Sequence, residues 1–229
     1  MPVFHNDIEQ RSPEWYALRA GIPTASEFSK IVTSKGEPSK SAATYALTLA
    51  AEMYSGKPLD DAWAGNAHTE RGRELEAEAL SLYELRHGCD VAPTGFVTSD
   101  DGDMGCSPDG MVSDDGMAEV KCLKAENHIK AILYYQKNGR CPTDYVQQTQ
   151  GQMMICERQW CDLIFYHPDL PLLVIRQDPN IAVQDALRTE IPALLSERDR
   201  VLAVLRGQGG ESTPLPQTNT DVAEAAPAF

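Results

Sequence analysis

Residues 106–122 read Cys106-Ser107-Pro108-Asp109-Gly110-Met111-Val112-Ser113-Asp114-Asp115-Gly116-Met117-Ala118-Glu119-Val120-Lys121-Cys122, and their reading decides the fold. Asp114, Asp115 and Gly116 are a hairpin-turn signal between two short apolar runs. Along the second run side chains alternate from face to face. Glu119 and Lys121 therefore share one face, and Ala118, Val120 and Cys122 share the other. A hairpin brings Asp109 opposite the charged face, so that two carboxylates and one ammonium converge at a strand end. Such a set suits metal-assisted phosphodiester cleavage. Asp109 can bridge two ions, Glu119 can bind one, and the Val120 carbonyl can add a neutral oxygen. Lys121 can orient or deprotonate the attacking water, or stay protonated and stabilise charge. The same residues also read as an acidic hairpin with its charges in solvent.

Before this stretch the period is helical. Ser12 and Pro13 suit the N-cap and first position of a helix over residues 12–20, which Gly21 ends. A second short helix begins at Pro23, with Thr24 and Glu27 spaced for a capping box. Residues 41–55 predict a helix burying Leu47, Ala50, Ala51 and Tyr54, with Gly56 at its end. Residues 66–87 predict another, striped by Leu75, Ala79, Leu82 and Tyr83, with Glu76 at the border of the stripe. From residue 89 the period shortens to a meander of strands that ends at Cys122.

After it come helices over 125–138 and 143–157, strands over 160–166 and 172–176, and a helix over 181–206 that Pro192 kinks or restarts. The order predicts an α/β fold with a mixed central sheet flanked by helices. Residues 1–206 form one domain, and the polar, Gly- and Ala-rich residues 207–229 read as a flexible tail.

Composition narrows the function. The 229 residues carry 20 basic and 34 acidic side chains, a net charge of −14, which excludes a protein that coats DNA non-specifically. It leaves room for a nuclease whose carboxylates bind cations and whose basic residues are concentrated on one surface. Nothing resembles a membrane span or a signal peptide, so the expected location is cytoplasmic. The six cysteines (89, 106, 122, 141, 156 and 161) form no CxxC pair and read as reduced core residues. The five histidines show no triad or HExxH spacing.

Five stretches together resemble one family. Trp15-Tyr16-Ala17-Leu18-Arg19-Ala20-Gly21-Ile22-Pro23-Thr24-Ala25-Ser26-Glu27 is similar to the W-x-x-L-R-x-G-x-x-T-A-S-E motif of the phage lambda-type alkaline exonucleases, the YqaJ-like viral recombinases of the PD-(D/E)xK superfamily. Gly72–Glu76 resembles their G-x-x-x-E helix, Cys106–Gly110 their C-S-P-D-G, Glu119–Cys122 their E-x-K-C, and Tyr145–Gln150 their Y-x-x-Q-x-Q.

The resemblance implies a restriction-endonuclease-like core and a magnesium-dependent 5′→3′ exonuclease. It would degrade one strand of linear double-stranded DNA to 5′-mononucleotides and leave 3′ single strands for recombination by annealing. It implies two Mg²⁺ ions, with Mn²⁺ as a substitute, on Asp109, Glu119, Glu76 and the Val120 carbonyl. Lys121 would serve the attacking water, and Arg19, Ser26, Ser107 and Gln148 would hold the terminal 5′-phosphate. A homotrimeric ring, an annealing protein as partner and a phage or prophage origin follow from the same resemblance. The alternatives are another RecB-like endonuclease or exonuclease, and a non-catalytic protein that binds DNA ends.

Overall fold

The computed structural model describes residues 1–59 and 67–208. Two sheets organise it. The smaller has three antiparallel strands in the order β1 (Val3–His5), β3 (Phe96–Thr98), β4 (Gly105–Cys106). The larger has five strands in the order β2 (Val91–Ala92), β5 (Gly110–Val112), β6 (Gly116–Cys122), β7 (Trp160–Tyr166), β8 (Leu173–Gln177). Only β6 and β7 run parallel, so the sheet is mixed as the order of elements predicts. A parallel neighbour demands a long crossover. Here it is made by α4 (Ala125–Asn138), a 3₁₀ turn (Thr143–Tyr145) and α5 (Val146–Cys156). The strands before Cys122 divide between the two sheets instead of forming one meander. Paired residues Gly110 and Ala118, Met111 and Met117, and Val112 and Gly116 set the predicted β5–β6 hairpin.

The two faces of β6 are buried differently. Ala118 and Val120 pack with Ile164 of β7 against Ala79 and Tyr83 of α3 (Ala67–His87). Met117, on the opposite face, joins the main core with Met153 of α5. That core also takes Leu49 of α2 (Ala42–Ser55), Phe28 of the 3₁₀ turn Ala25–Lys30, and Leu187 and Ile191 of α6 (Ile181–Gln208). Glu119 and Lys121 share the Met117 face, beside Leu163 and Phe165 in register on β7.

Several expectations are corrected. Helix α1 (Pro13–Arg19) starts as predicted, with the Ser12 hydroxyl accepting from the Trp15 amide. The Thr24–Glu27 capping box does not form. The segment is a 3₁₀ turn, Glu27 pairs with Lys30, and the Thr24 hydroxyl faces Arg19 and Ser26 instead. Helix α2 is rotated from the predicted face: Tyr45, Ala46 and Leu49 are buried, while Leu47 and Tyr54 are 52% and 54% exposed. Helix α6 runs through Pro192 without a break and ends at Gln208, two residues into the expected tail. Residues 209–229 lie outside the described residues. No helix among the described residues is long and apolar enough to cross a membrane. All six cysteines are free thiols, and those of Cys106 and Cys156 lie 3.5 Å apart in the core.

Candidate active site

The hairpin register places Asp109 beside Glu119, one residue before β5 begins. Its carboxylate accepts from the Val120 amide at 2.6 Å, which ties the loop to the strand. Glu119 is buried on the inner face and accepts from three donors. Lys121 Nζ (2.7 Å) and Gln148 Nε2 (2.6 Å) reach Oε1, and Gln152 Nε2 (2.7 Å) reaches Oε2. Lys121 also donates to Gln148 Oε1 at 2.9 Å, so Gln148 bridges Glu119 and Lys121. Gln148 and Gln152 are one helical turn apart on α5, which is why both meet Glu119. Glu76, from the middle of α3, joins on the other side and pairs with Arg11 at 3.6 Å.

Burial and crowding of like charges shape the titration here. Burial raises the Asp109 carboxyl well above the usual range, helped by the charges of Glu119 and Glu76. Burial raises Glu76 too, and Glu119 adds to it while Arg11 opposes. Burial pulls Lys121 down, but the charge and hydrogen bond of Glu119 and the charge of Asp109 outweigh it, and the ammonium is held above its ordinary value.

The expected phosphate residues form a second group beside the first. Arg19 lies over the Trp15 ring at 4.0 Å and donates to the Thr24 hydroxyl at 3.5 Å. Ser26 shares a hydrogen bond with Thr24 at 3.3 Å. Trp15 Nε1 donates to the Ser107 hydroxyl at 3.0 Å, which links α1 to the loop that carries Asp109. Arg19, Trp15, Thr24 and Lys30 line a cleft of about 230 Å³, whose wall also includes Arg11. Gln148 stands apart from this group, in the carboxylate centre.

Sequence reasoning missed four contributors. Gln152 was open to detection, since it lies four residues after Gln148 on a predicted helix. Trp15 reads as packing and is buried, yet its indole N–H also positions Ser107. Thr24 reads as a cap and acts as the link between Arg19 and Ser26. Arg11 had no signal, because it sits in irregular backbone with φ of 69°.

Among the described residues, no group of three or more His, Cys, Asp and Glu side chains is arranged to hold a metal ion as it stands. The chemistry of the donors nonetheless suits a hard divalent cation. The acids supply only oxygen, and Asp109 and Glu76 are raised by burial and by neighbouring carboxylate charge that a cation would neutralise. The buried Gln152 Oε1, with no hydrogen-bond partner, is a further oxygen beside them.

A mixed sheet in which a central strand presents Glu-x-Lys, with an Asp opposite just before the adjoining strand, defines the PD-(D/E)xK class of nucleases. Within that class the chain belongs to the YqaJ-like viral recombinase domain family, whose model matches residues 14–159. The fold is similar to that of LHK-Exo, an alkaline exonuclease from Laribacter hongkongensis, at 30% identity and a TM-score of 0.75, over 87% of this chain and 98% of that one. LHK-Exo in complex with dAMP gives a TM-score of 0.74 at the same identity and coverage. A phage related exonuclease from Haemophilus somnus 129PT, 16% identical, shares the fold with a TM-score of 0.63 over 80% of this chain and 96% of that one. Comparison with curated proteins gives no match.

Proposed function

We propose that this chain is a magnesium-dependent 5′→3′ exonuclease that degrades one strand of linear double-stranded DNA. It releases 5′-mononucleotides and leaves a 3′ single strand for recombination by annealing. The observation that carries this reading is the convergence of Asp109, Glu119 and Lys121 at the β5–β6 hairpin, with Glu76 of α3 near enough to feel their charges, beside a cleft lined by Arg19. The dAMP held by LHK-Exo is a deoxynucleoside monophosphate, the class of product this reading requires.

Asp109, Glu119, Glu76 and the Val120 carbonyl would hold two divalent ions, magnesium with manganese as substitute. When bound, such ions supply charge neutralisation on the phosphate and a water of lowered pKa. Lys121, held as an ammonium by Glu119 and Gln148, is better suited to stabilise charge on the scissile phosphate than to take a proton. Gln148 keeps acid and ammonium in register, and Gln152 fixes the second oxygen of Glu119. Arg19 is a planar fork stacked on Trp15, and with the hydroxyls of Ser26 and Ser107 it forms a recess suited to a terminal 5′-phosphate. An anchor of this kind favours DNA ends over internal bonds. A homotrimeric ring around the DNA, an annealing protein as partner and a place in the cytoplasm of a phage- or prophage-bearing bacterium complete the reading. The acidic exterior would then confine DNA to the inner surface.

The test is digestion of linear duplexes, with and without a 5′-phosphate, and of closed circles. The expected outcome is release of mononucleotides from phosphorylated linear ends, abolished by a chelator and reduced about 10²–10³-fold or more in Asp109→Ala, as for loss of a principal group stabilising charge. Release that persists in Asp109→Ala, or equal cutting of circles, would sink the proposal.

A further inference from the structure

Residues 121–140 hold five of the chain's 20 basic side chains (Lys121, Lys124, Lys130, Lys137, Arg140) and one of its 34 acidic ones (Glu126). In so acidic a chain this is a strong local reversal of sign, and it starts at the active-site lysine. The segment is mostly α4. Asn127, Lys130 and Tyr134 are spaced three and four residues apart, so they share one helical face, and Lys137 extends that face by one more step. The same face borders a groove of about 350 Å³, closed on its far side by Pro142 and Tyr145, with Asp144 at its rim. Lys121 Nζ lies 5.7 Å from the Tyr145 ring, and Tyr145 is backed edge-on by Phe165, which fixes its position. Lys130, Lys137 and Arg140 are exposed, and Tyr134 is half-buried.

This groove shares no lining residue with the cleft that holds Arg19, yet both touch the same centre. Arg11 of the cleft pairs with Glu76, and Tyr145 of the groove lies beside Lys121. A strand anchored by its 5′ end near Arg19 and cut at the carboxylates must leave the centre on the other side. We infer that the α4 groove binds the strand being cut, just 3′ of the scissile phosphate. Lys130 and Lys137 meet its phosphates, and the Tyr134 ring meets a base. A base stacked on an aromatic ring with lysines along the backbone is the general way to hold single-stranded nucleic acid without sequence preference. The groove thus accounts for how the remaining strand is kept in line after each nucleotide leaves. The inference rests on the exonuclease reading given above.

The experiment measures KM and its salt dependence for release of nucleotides from a 5′-phosphorylated linear duplex. Tyr134→Ala should raise KM about fivefold or more, the low end for losing one stacked base. Lys130→Ala should flatten the slope of log KM against log salt by about one, as one phosphate contact is lost, and Lys130→Arg should restore it. Lys40→Ala, an exposed lysine outside the groove, is the control and should change neither quantity. If the native protein cuts but Tyr134→Ala and Lys130→Ala keep its KM and slope, the inference fails while the exonuclease reading stands, and the groove is left to a protein partner. If the native protein releases no nucleotide, the exonuclease reading fails and takes the inference with it.

Discussion

At Glu119 an ammonium and two amides converge on a carboxylate that is only 3% exposed. Asp109 is less well provided for, with the Val120 amide as donor and two other acids close enough to raise its pKa. Without a cation, ionised Asp109 therefore works against the fold. The sign follows from linkage: a carboxyl whose folded pKa lies above its unfolded value of about 3.9 favours the folded state when protonated. That contribution is fully present below about pH 4 and is lost as pH rises through the raised value. Asp109→Asn removes the charge and keeps an oxygen for the Val120 amide. In chelator at pH 8 it should raise the thermal midpoint, by about 2–4 °C per kcal/mol relieved at this chain length. The gain should vanish near pH 4, and magnesium should stabilise the native protein more than the variant. Thermal melts with and without magnesium check this. A variant less stable than the native protein in chelator at pH 8 would refute it.

Helix α5 shows what an element adds to its residues. Its sequence of glutamines and a central glycine looks polar and weakly helical, yet Gln147, Gln150, Gln152 and Gly151 are all buried. A methyl group on Gly151 would stand 2.3 Å from Cδ2 of Phe28, and Phe28 is fully buried and has no room to retreat. Two effects compete in Gly151→Ala. Helix propensity favours alanine by about 1 kcal/mol, while overpacking a closed core costs about 1–3 kcal/mol, occasionally more. With backbone and ring this close the second should win. The variant should melt several degrees lower, and kcat should fall as Gln148 and Gln152 are pushed off Glu119. A variant as stable and active as the parent would show that α5 is free to shift.

Other elements show what was legible in the sequence. The Asp114-Asp115-Gly116 turn and the alternation of Glu119, Val120 and Lys121 are local, and they gave the hairpin and the charged face. The α3 stripe through Ala79 and Tyr83 was equally plain. Helix α2 was misread because its two sides carry similar apolar residues, and only the packing of α2 on α6 turns Tyr45, Ala46 and Leu49 inward and leaves Leu47 and Tyr54 outside. The Thr24 capping box was misread because Arg19 and Ser26 compete for the same hydroxyl, a contest that sequence spacing does not display.

Across the whole molecule, one chain contributes Asp109, Glu119, Lys121, Glu76, Gln148 and Gln152, and each of these reaches another of the set or its charge. The group near Arg19 is supplied by the same chain through Trp15, Thr24, Ser26 and Ser107. If the protein assembles as the proposed homotrimer, closure of the ring is therefore needed to hold DNA and not to complete a site. Two measurements follow. Light scattering should give three times the 25.2 kDa chain mass. Co-expressed mixtures of native and Asp109→Ala chains should release nucleotides at an initial rate proportional to the native fraction, because each native chain cuts with its own residues. A rate that falls more steeply than the native fraction would mean that a centre depends on the Asp109 of a neighbouring chain. A particle of single-chain mass would remove the ring, and the enzyme would then have to rely on the α4 groove and the Arg19 cleft alone to stay on its strand.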